Sequence, residues 1–451
     1  MDGIYASFPP DFLWGAAASS YQIEGATTEG GRGEGIWDRF CKVPGAVRNG
    51  ESGAIACDFF HRYPDDVRLM RELGLDAFRF SVSWPRILPE GRGRIEPRGL
   101  DFYDRLVDEL LSADIRPFLN LFHWDLPQRL EDEGGWTNRA TAEAFVELAE
   151  AVAARLGDRV TDWSTHNEPW CAAWLGYGYG EHAPGRKSRI DAVAAAHHLL
   201  LSHGLAVEAI RREARDPQVG IILDAWPAYP ATDDPADAVA AQSVDALRNR
   251  FFFDGALLGK YPDDALELLA PIAPPIREGD MAALSPRLDW VGVNNYSRTV
   301  VRANPDGDEP FEMPAANGNL TAMGWEVYPS GLYDVLTHVH RAYAPASIYV
   351  TENGAAFPDI QGHDGAVRDP ERIEYLGSYL EAVAQALDEG VPIRGYFVWS
   401  LLDNFEWSLG YGRRFGIVYV DYPTQERIPK SSFTWYRDLI AAVRVDTRRV
   451  G

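Results

Sequence analysis

Two short stretches of this chain end a β-prone run in a glutamate and then break the backbone at once. The first is Val160-Thr161-Asp162-Trp163-Ser164-Thr165-His166-Asn167-Glu168-Pro169 and the second is Ile348-Tyr349-Val350-Thr351-Glu352-Asn353-Gly354. Proline cannot continue a paired strand, and glycine suits a sharp turn. Glu168 and Glu352 are therefore expected to project from the ends of strands. Two carboxyl groups brought together at one end of a barrel form the pair that cleavage of a glycosidic bond requires.

Other residues that could do chemistry fall at similar places. Gln22 follows a first candidate strand, Arg79 lies within a second, and His123 and Trp124 end a third. Asn167 and Glu168 end the fourth, Asn294 and Tyr296 the sixth, Glu352 the seventh, and Trp399 the eighth, with Glu406 and Trp407 soon after. Taken singly, each has an ordinary structural explanation: a cap, a strand-end ion pair, a core histidine or a core tryptophan. Together they supply amide, imidazole, carboxylate and indole groups. That set suits a sugar, whose hydroxyls need donors and acceptors and whose apolar ring face needs an aromatic platform. His166 alternates with Asn167 along the strand and is expected to face the other way, in a structural role.

The elements that must position these groups alternate between strand and helix. Candidate strands are Phe12–Ala16, Ala77–Ser81, Arg116–Leu121, Val160–Thr165, Val219–Leu223, Trp290–Val293, Ser347–Thr351 and Ile393–Ser400. Several are short, near-continuous apolar runs, as expected when helices cover a parallel sheet. Helical stretches include Asp65–Leu73, Leu100–Ser112, Thr141–Leu156, Ala192–Arg212, Leu332–Ala342 and Arg372–Asp388. The pattern predicts an α/β fold, a single (β/α)8 TIM barrel over residues 1–451. Long connections, Ala17–Tyr63, His123–Asn138, Asn167–Ile190 and Asn294–Ser330, are rich in Gly, Trp and Tyr and are expected to wall a deep pocket.

Composition narrows the function further. A formal net charge of −24 repels nucleic acid and anionic lipid, so neither is expected as a partner. A neutral small molecule fits such a surface. Three cysteines, Cys41, Cys57 and Cys171, make no disulfide framework, and no metal-ligand spacing is present, so no metal and no cofactor are expected. Cys171, three residues after Glu168, lacks a basic partner and reads as a small packing residue. The N-terminus shows no basic and apolar leader pattern, and the most apolar helical stretch is interrupted by His197, His198 and His203. A cytoplasmic protein without a membrane span is expected. The Gly-rich segments 31–35 and 176–180 do not follow a strand and open a helix, so both read as loop turns rather than phosphate cradles. The sequence leaves monomer and homo-oligomer equally open.

With these residues in view, the chain resembles the glycoside hydrolase family 1 β-glucosidases over nearly its whole length. The matching segments are Phe12-Leu13-Trp14-Gly15-Ala16-Ala17, Phe78-Arg79-Phe80-Ser81-Val82-Ser83-Trp84-Pro85-Arg86, Thr165-His166-Asn167-Glu168-Pro169-Trp170, Tyr349-Val350-Thr351-Glu352-Asn353-Gly354, and Trp399-Ser400-Leu401-Leu402-Asp403-Asn404-Phe405-Glu406-Trp407. The resemblance implies Glu168 as acid/base and Glu352 as nucleophile. It implies that Gln22, His123, Asn167, Glu406 and Trp407 bind the glycone, that Trp399 lies beneath its ring, and that Trp170, His182 and Trp325 wall the aglycone side. Arg79, Asn294 and Tyr296 would support the nucleophile. Asn295 departs from the family's usual tyrosine at that place, while Tyr296 keeps the functional position.

What the resemblance implies is a retaining, two-step hydrolysis of terminal β-D-glucosyl residues, with galactosides and fucosides as further candidates. Glu352 would attack the anomeric carbon while a protonated Glu168 serves the leaving oxygen, and Glu168 should have a raised pKa. The alternatives are a 6-phospho-β-glycosidase, disfavoured by the acidic Glu406, a transglycosidase using the same covalent intermediate, and a non-catalytic carbohydrate-binding barrel, disfavoured by the presence of both glutamates.

Overall fold

Eight parallel strands close into a barrel in the computed structural model, which describes residues 7–307 and 309–450. They are β1 (Leu13–Ala17), β2 (Ala77–Ser81), β3 (Arg116–Phe122), β4 (Asp162–Asn167), β5 (Gln218–Asp224), β6 (Trp290–Asn294), β7 (Ile348–Asn353) and β8 (Ile393–Trp399). Each pairs with its sequence neighbours, and β8 closes onto β1 through Leu13–Gly395 to Ala17–Trp399. All eight expected strands are present, displaced by two residues or fewer at any end. The strands are buried almost throughout, because the barrel is packed inside and covered by helices outside.

The barrel interior below the functional end is filled by large rings. Phe118 packs 6.0 Å from Trp290, 5.3 Å from Tyr349 and 4.9 Å from Phe397, between ring centroids. Two glycines make the room: a Cβ on Gly15 would come within 2.3 Å of the Phe397 ring, and one on Gly220 within 2.4 Å of Trp290.

The expected helices are all present and begin earlier than anticipated, for example at Phe59, Pro97 and Arg139. Pro64 lies inside the first of these rather than ahead of it. Helices not foreseen include Pro235–Asp245, continuing through Phe251–Leu258, and Ser431–Val450, besides short ones such as Ile36–Phe40 and Asp263–Leu268. Short strands in the loops, such as Thr299–Ala303 and Val418–Asp421, also went unread. The Gly-rich stretch around Gly176 is not a loop: Cys171–Tyr179 forms a wide-turned π-helix that ends at left-handed Gly180. Its glycines allow close packing, since a Cβ on Gly176 would sit 2.7 Å from the Ala183 carbonyl oxygen. Helix Arg189–Glu213 is the one among the described residues long and apolar enough to cross a membrane, and 78% of its apolar window is buried against the rest of the protein.

The loop after β8 is pinned from below. Buried Lys430 donates to Asp359 at 2.5 Å and to Asp403 at 2.7 Å. Arg372 and Arg414 share those two carboxylates, at 2.7 and 2.6 Å. Asp403 also accepts from the Gly416 amide at 2.9 Å, which ties the two ends of the loop together. Buried charges in such a closed cluster compensate one another.

Candidate active site

At the C-terminal ends of the strands lies a cavity of about 490 Å³. Glu168 and Glu352 both line it. Each sits at an irregularity in its strand: pairing shifts register between Ser164 and Asn167 in β4 and between Val350 and Glu352 in β7. Such bulges re-aim a side chain toward the barrel mouth. Glu168 itself adopts φ +48°, and Trp124 and Trp407 also lie at positive φ, +77° and +50°. A non-glycine residue in the left-handed region is strained, and here three of them cluster at one cavity.

The two carboxyl groups have opposite surroundings. Glu352 accepts from Arg79 at 2.5 Å and from the Tyr296 hydroxyl at 2.6 Å. Glu168 accepts from Asn294 Nδ2 at 2.7 Å and has no cation bonded to it. Burial pushes the Glu168 carboxyl well above the usual carboxylate range, and the negative charges of Glu352 and Asp224 push it further. One group thus sits in an ion pair with a guanidinium while the other is pushed toward its acid form, the division of labour that general acid catalysis beside a nucleophile needs.

A chain of hydrogen bonds runs between them. Arg79 reaches Asn167 Oδ1 with its second terminal nitrogen, at 2.6 Å, and Asn294 Nδ2 donates to the same oxygen at 3.0 Å. Two donors on one atom fix which end of the Asn167 amide is oxygen. Its Nδ2 must then donate to His123 Nε2, 3.2 Å away. His123, kept neutral by burial and by the Arg79 charge, consequently carries its proton on Nδ1. That atom is buried with no partner among the described residues, a donor for a ligand hydroxyl.

The rest of the expected set divides by depth. Trp124, Trp399, Glu406 and Trp407 line the cavity with His123 and Tyr296. Gln22 stands behind it, fully buried, donating to Asn404 Oδ1, to the Phe405 carbonyl and, at 3.5 Å, to Glu406. Burial and the Glu352 charge raise the Glu406 carboxyl to about 8. Asn294 is a link to Glu168 and Asn167 rather than a support for Glu352. Trp170, His182 and Trp325 line the outer part. His166 faces away, bonded to Ser202 at 2.8 Å and stacked 4.5 Å from Phe145. Asn295 also faces away, donating to the Ala225 and Ser297 carbonyls. Cys171 lines the cavity beside Glu168, where burial and that neighbouring charge push its thiol up, so it is no thiolate.

The Gly- and Trp-rich Ala17–Tyr63 segment does not wall the cavity as expected. Its aromatic residues support the wall from behind: Trp37 packs 4.5 Å and Tyr21 6.2 Å from Trp407. Sequence reasoning missed Trp226 and Arg248, which do line the cavity, and Asp224 at the end of β5. A run of strand ending in a carboxylate was a signal for Asp224 too, since Ile221-Ile222-Leu223-Asp224 repeats the pattern of β4 and β7. Among the described residues, no group of three or more His, Cys, Asp or Glu side chains is arranged to hold a metal.

Comparison with known proteins bears on the whole chain. A family model described as glycosyl hydrolase family 1 matches residues 4–444. The chain is 45% identical to beta-glucosidase A of Acetivibrio thermocellus, covering 96% of this chain and 98% of that one. It is 49% identical to thermostable beta-glucosidase B of Thermobispora bispora, covering 96% and 90%. Among solved structures, beta-glucosidase of Thermotoga maritima in complex with glucoimidazole superposes with a TM-score of 0.94 at 44% identity, covering 97% of this chain and 99% of that one.

Proposed function

The chain belongs to glycosyl hydrolase family 1, and from that premise we propose that Glu352 and Glu168 carry its reaction as nucleophile and acid/base. The activity is the retaining hydrolysis of terminal β-D-glucosyl residues from small β-glucosides. The observation that supports these roles is the asymmetry of the two carboxyl groups within one cavity: Glu352 in a buried ion pair, Glu168 buried without one.

In the first step Glu352 attacks the anomeric carbon, the glycosidic bond breaks, and Glu168 gives its proton to the departing oxygen. Arg79 and Tyr296 orient Glu352, and desolvation strengthens their hold. Once Glu352 is an ester, its negative charge no longer opposes ionisation of Glu168. Glu168 then takes a proton from the incoming water, and the sugar is released with its original anomeric configuration. Glycone hydroxyls are read by His123, Asn167 and Glu406, backed by Gln22 and Trp407, over the face of Trp399. Cello-oligosaccharides, β-galactosides and β-fucosides belong to the same proposal, because they differ from a simple glucoside only in the aglycone or at single hydroxyls.

The test is covalent trapping. An activated 2-deoxy-2-fluoro-β-glucoside slows both steps but the second more, so the glycosyl-enzyme accumulates. Peptide mapping should place the label on Glu352. A label on another residue, or hydrolysis with no label and an inverted product, would overturn the assignment.

A further inference from the structure

Glu168 and Asp224 leave the barrel side by side. The Glu168 amide donates to the Ile222 carbonyl at 2.9 Å, and Asp224 is two residues further along the same strand. The Asp224 side chain is only 4% exposed, and Arg248 donates to it at 3.0 Å. The guanidinium of Arg248 is held in turn between two indoles, 3.7 Å over Trp170 and 5.1 Å from Trp226. Trp170 follows Glu168 by two residues, so the ion pair is clamped to the segment that carries the acid.

The pair is not needed to anchor its own segment. The neighbouring Asn249 already ties that helical turn to the β5 loop, accepting from the Trp226 amide at 3.1 Å and donating to the Trp226 carbonyl at 3.0 Å. Arg248 also keeps a buried Nε without a partner among the described residues, so its placement does not maximise its own hydrogen bonding. A buried charge pair beside an acid that must cycle its proton has an electrostatic use instead.

We propose that Asp224 and Arg248 are a positioning pair that sets the proton affinity of Glu168. Asp224 contributes a negative charge that favours the acid form, and Arg248 limits its reach while opposing the upward push of burial and of the Glu352 charge on Asp224 itself. The inference rests on the acid/base role given to Glu168 above. The other charged or titratable groups about Glu168 are Glu352 with its partners Arg79 and Tyr296, and Cys171 on its own segment. Across the cavity lie His123, His182, Glu181 and Glu406. Unlike Arg79, which is bonded to Glu352, Arg248 is stacked on the segment that carries Glu168. The direction of the effect on Glu168 agrees, since Asp224 adds to the upward push of burial and Glu352.

The experiment is the pH dependence of kcat/KM for cellobiose, a substrate with a poor leaving group. In D224N the uncompensated Arg248 charge should move the alkaline limb down by about one pH unit, the low end of what a neighbouring opposite charge produces. In R248M, which lacks that cation, the limb should lie above that of D224N, and in R248K, which keeps the charge, it should stay near the wild-type position. The double variant D224N/R248M should lie between the two single ones. Turnover of 2,4-dinitrophenyl β-glucoside, whose departure needs no proton, reports that each variant is folded. A D224N limb that fails to move, or an R248M limb that does not lie above that of D224N, overturns the proposal. R248K and R248M carry the same test if D224N does not fold: coincident limbs in those two overturn it as well. Failure of the underlying reading looks different: E168Q would then keep both cellobiose turnover and the wild-type alkaline limb.

Discussion

Arg79 grips Glu352 at 2.5 Å with both side chains removed from water, 1% and 4% exposed. The same guanidinium holds Asn167 at 2.6 Å, so one planar fork sets the spacing between the attacking carboxylate and the amide next to Glu168. A lysine cannot serve both acceptors in fixed geometry. R79K should therefore lower kcat about ten- to a hundredfold, the loss of one hydrogen bond to a charged group, with a smaller change in KM. Steady-state kinetics on an aryl β-glucoside checks this.

Removing either glutamate should give distinct signatures. E352A should lose at least about 10⁴-fold in kcat on every substrate, because no covalent intermediate forms. E168A should lose cellobiose turnover nearly as severely but retain much of its glycosylation rate with 2,4-dinitrophenyl β-glucoside. Added azide should rescue turnover in E168A with a β-glucosyl azide product and in E352A with an α product, which NMR of the products distinguishes.

The protonation of Glu168 fixes a sign. Its pKa is raised, so the acid form is complete at low pH and is lost as pH rises through that raised value. For cellobiose the alkaline limb of kcat/KM should fall through that range. For the dinitrophenyl glucoside the same limb should be shallower, because the leaving group departs unassisted.

Much of this arrangement was legible in the residues themselves. The barrel could be read because its strands are short apolar runs that end in Glu168, Asn294, Glu352 or Trp399, and helices with clear periodicity separate them. Helices around Ala236 and Arg248 were not legible, because the first is alanine- and acid-rich and the second bears alternating arginines, so neither shows an apolar stripe. Positive φ at Glu168, Trp124 and Trp407 left no trace either, since strain of that kind is imposed by the surrounding packing and not by residue type. Nothing in the sequence marks Arg248. Only the fold shows it between two indoles.

Gly354 makes a further prediction. A Cβ there would lie 1.8 Å from the Trp399 carbonyl oxygen, a backbone atom that has nowhere to go. G354A should push β7 and β8 apart where Glu352 and Trp399 emerge. Activity should fall by orders of magnitude while far-UV circular dichroism stays that of the wild type.

Trp399→Ala should both raise KM and lower kcat, because an aromatic platform orients the ring as well as holding it. An effect on KM alone would contradict the stacking role. Lys430→Met tests the support beneath: removing one member of a buried charge cluster costs about 3–5 kcal/mol. A lowered Tm should be accompanied by a raised KM, since Asp403 anchors the loop that carries Glu406 and Trp407.

The rings of Phe118, Trp290, Tyr349 and Phe397 leave no passage through the barrel. A long polymer cannot thread through the barrel. A sugar at the closed end of the cavity can leave only through the mouth by which it came. The group that enters last departs first, so the freed sugar waits behind whatever next occupies the mouth.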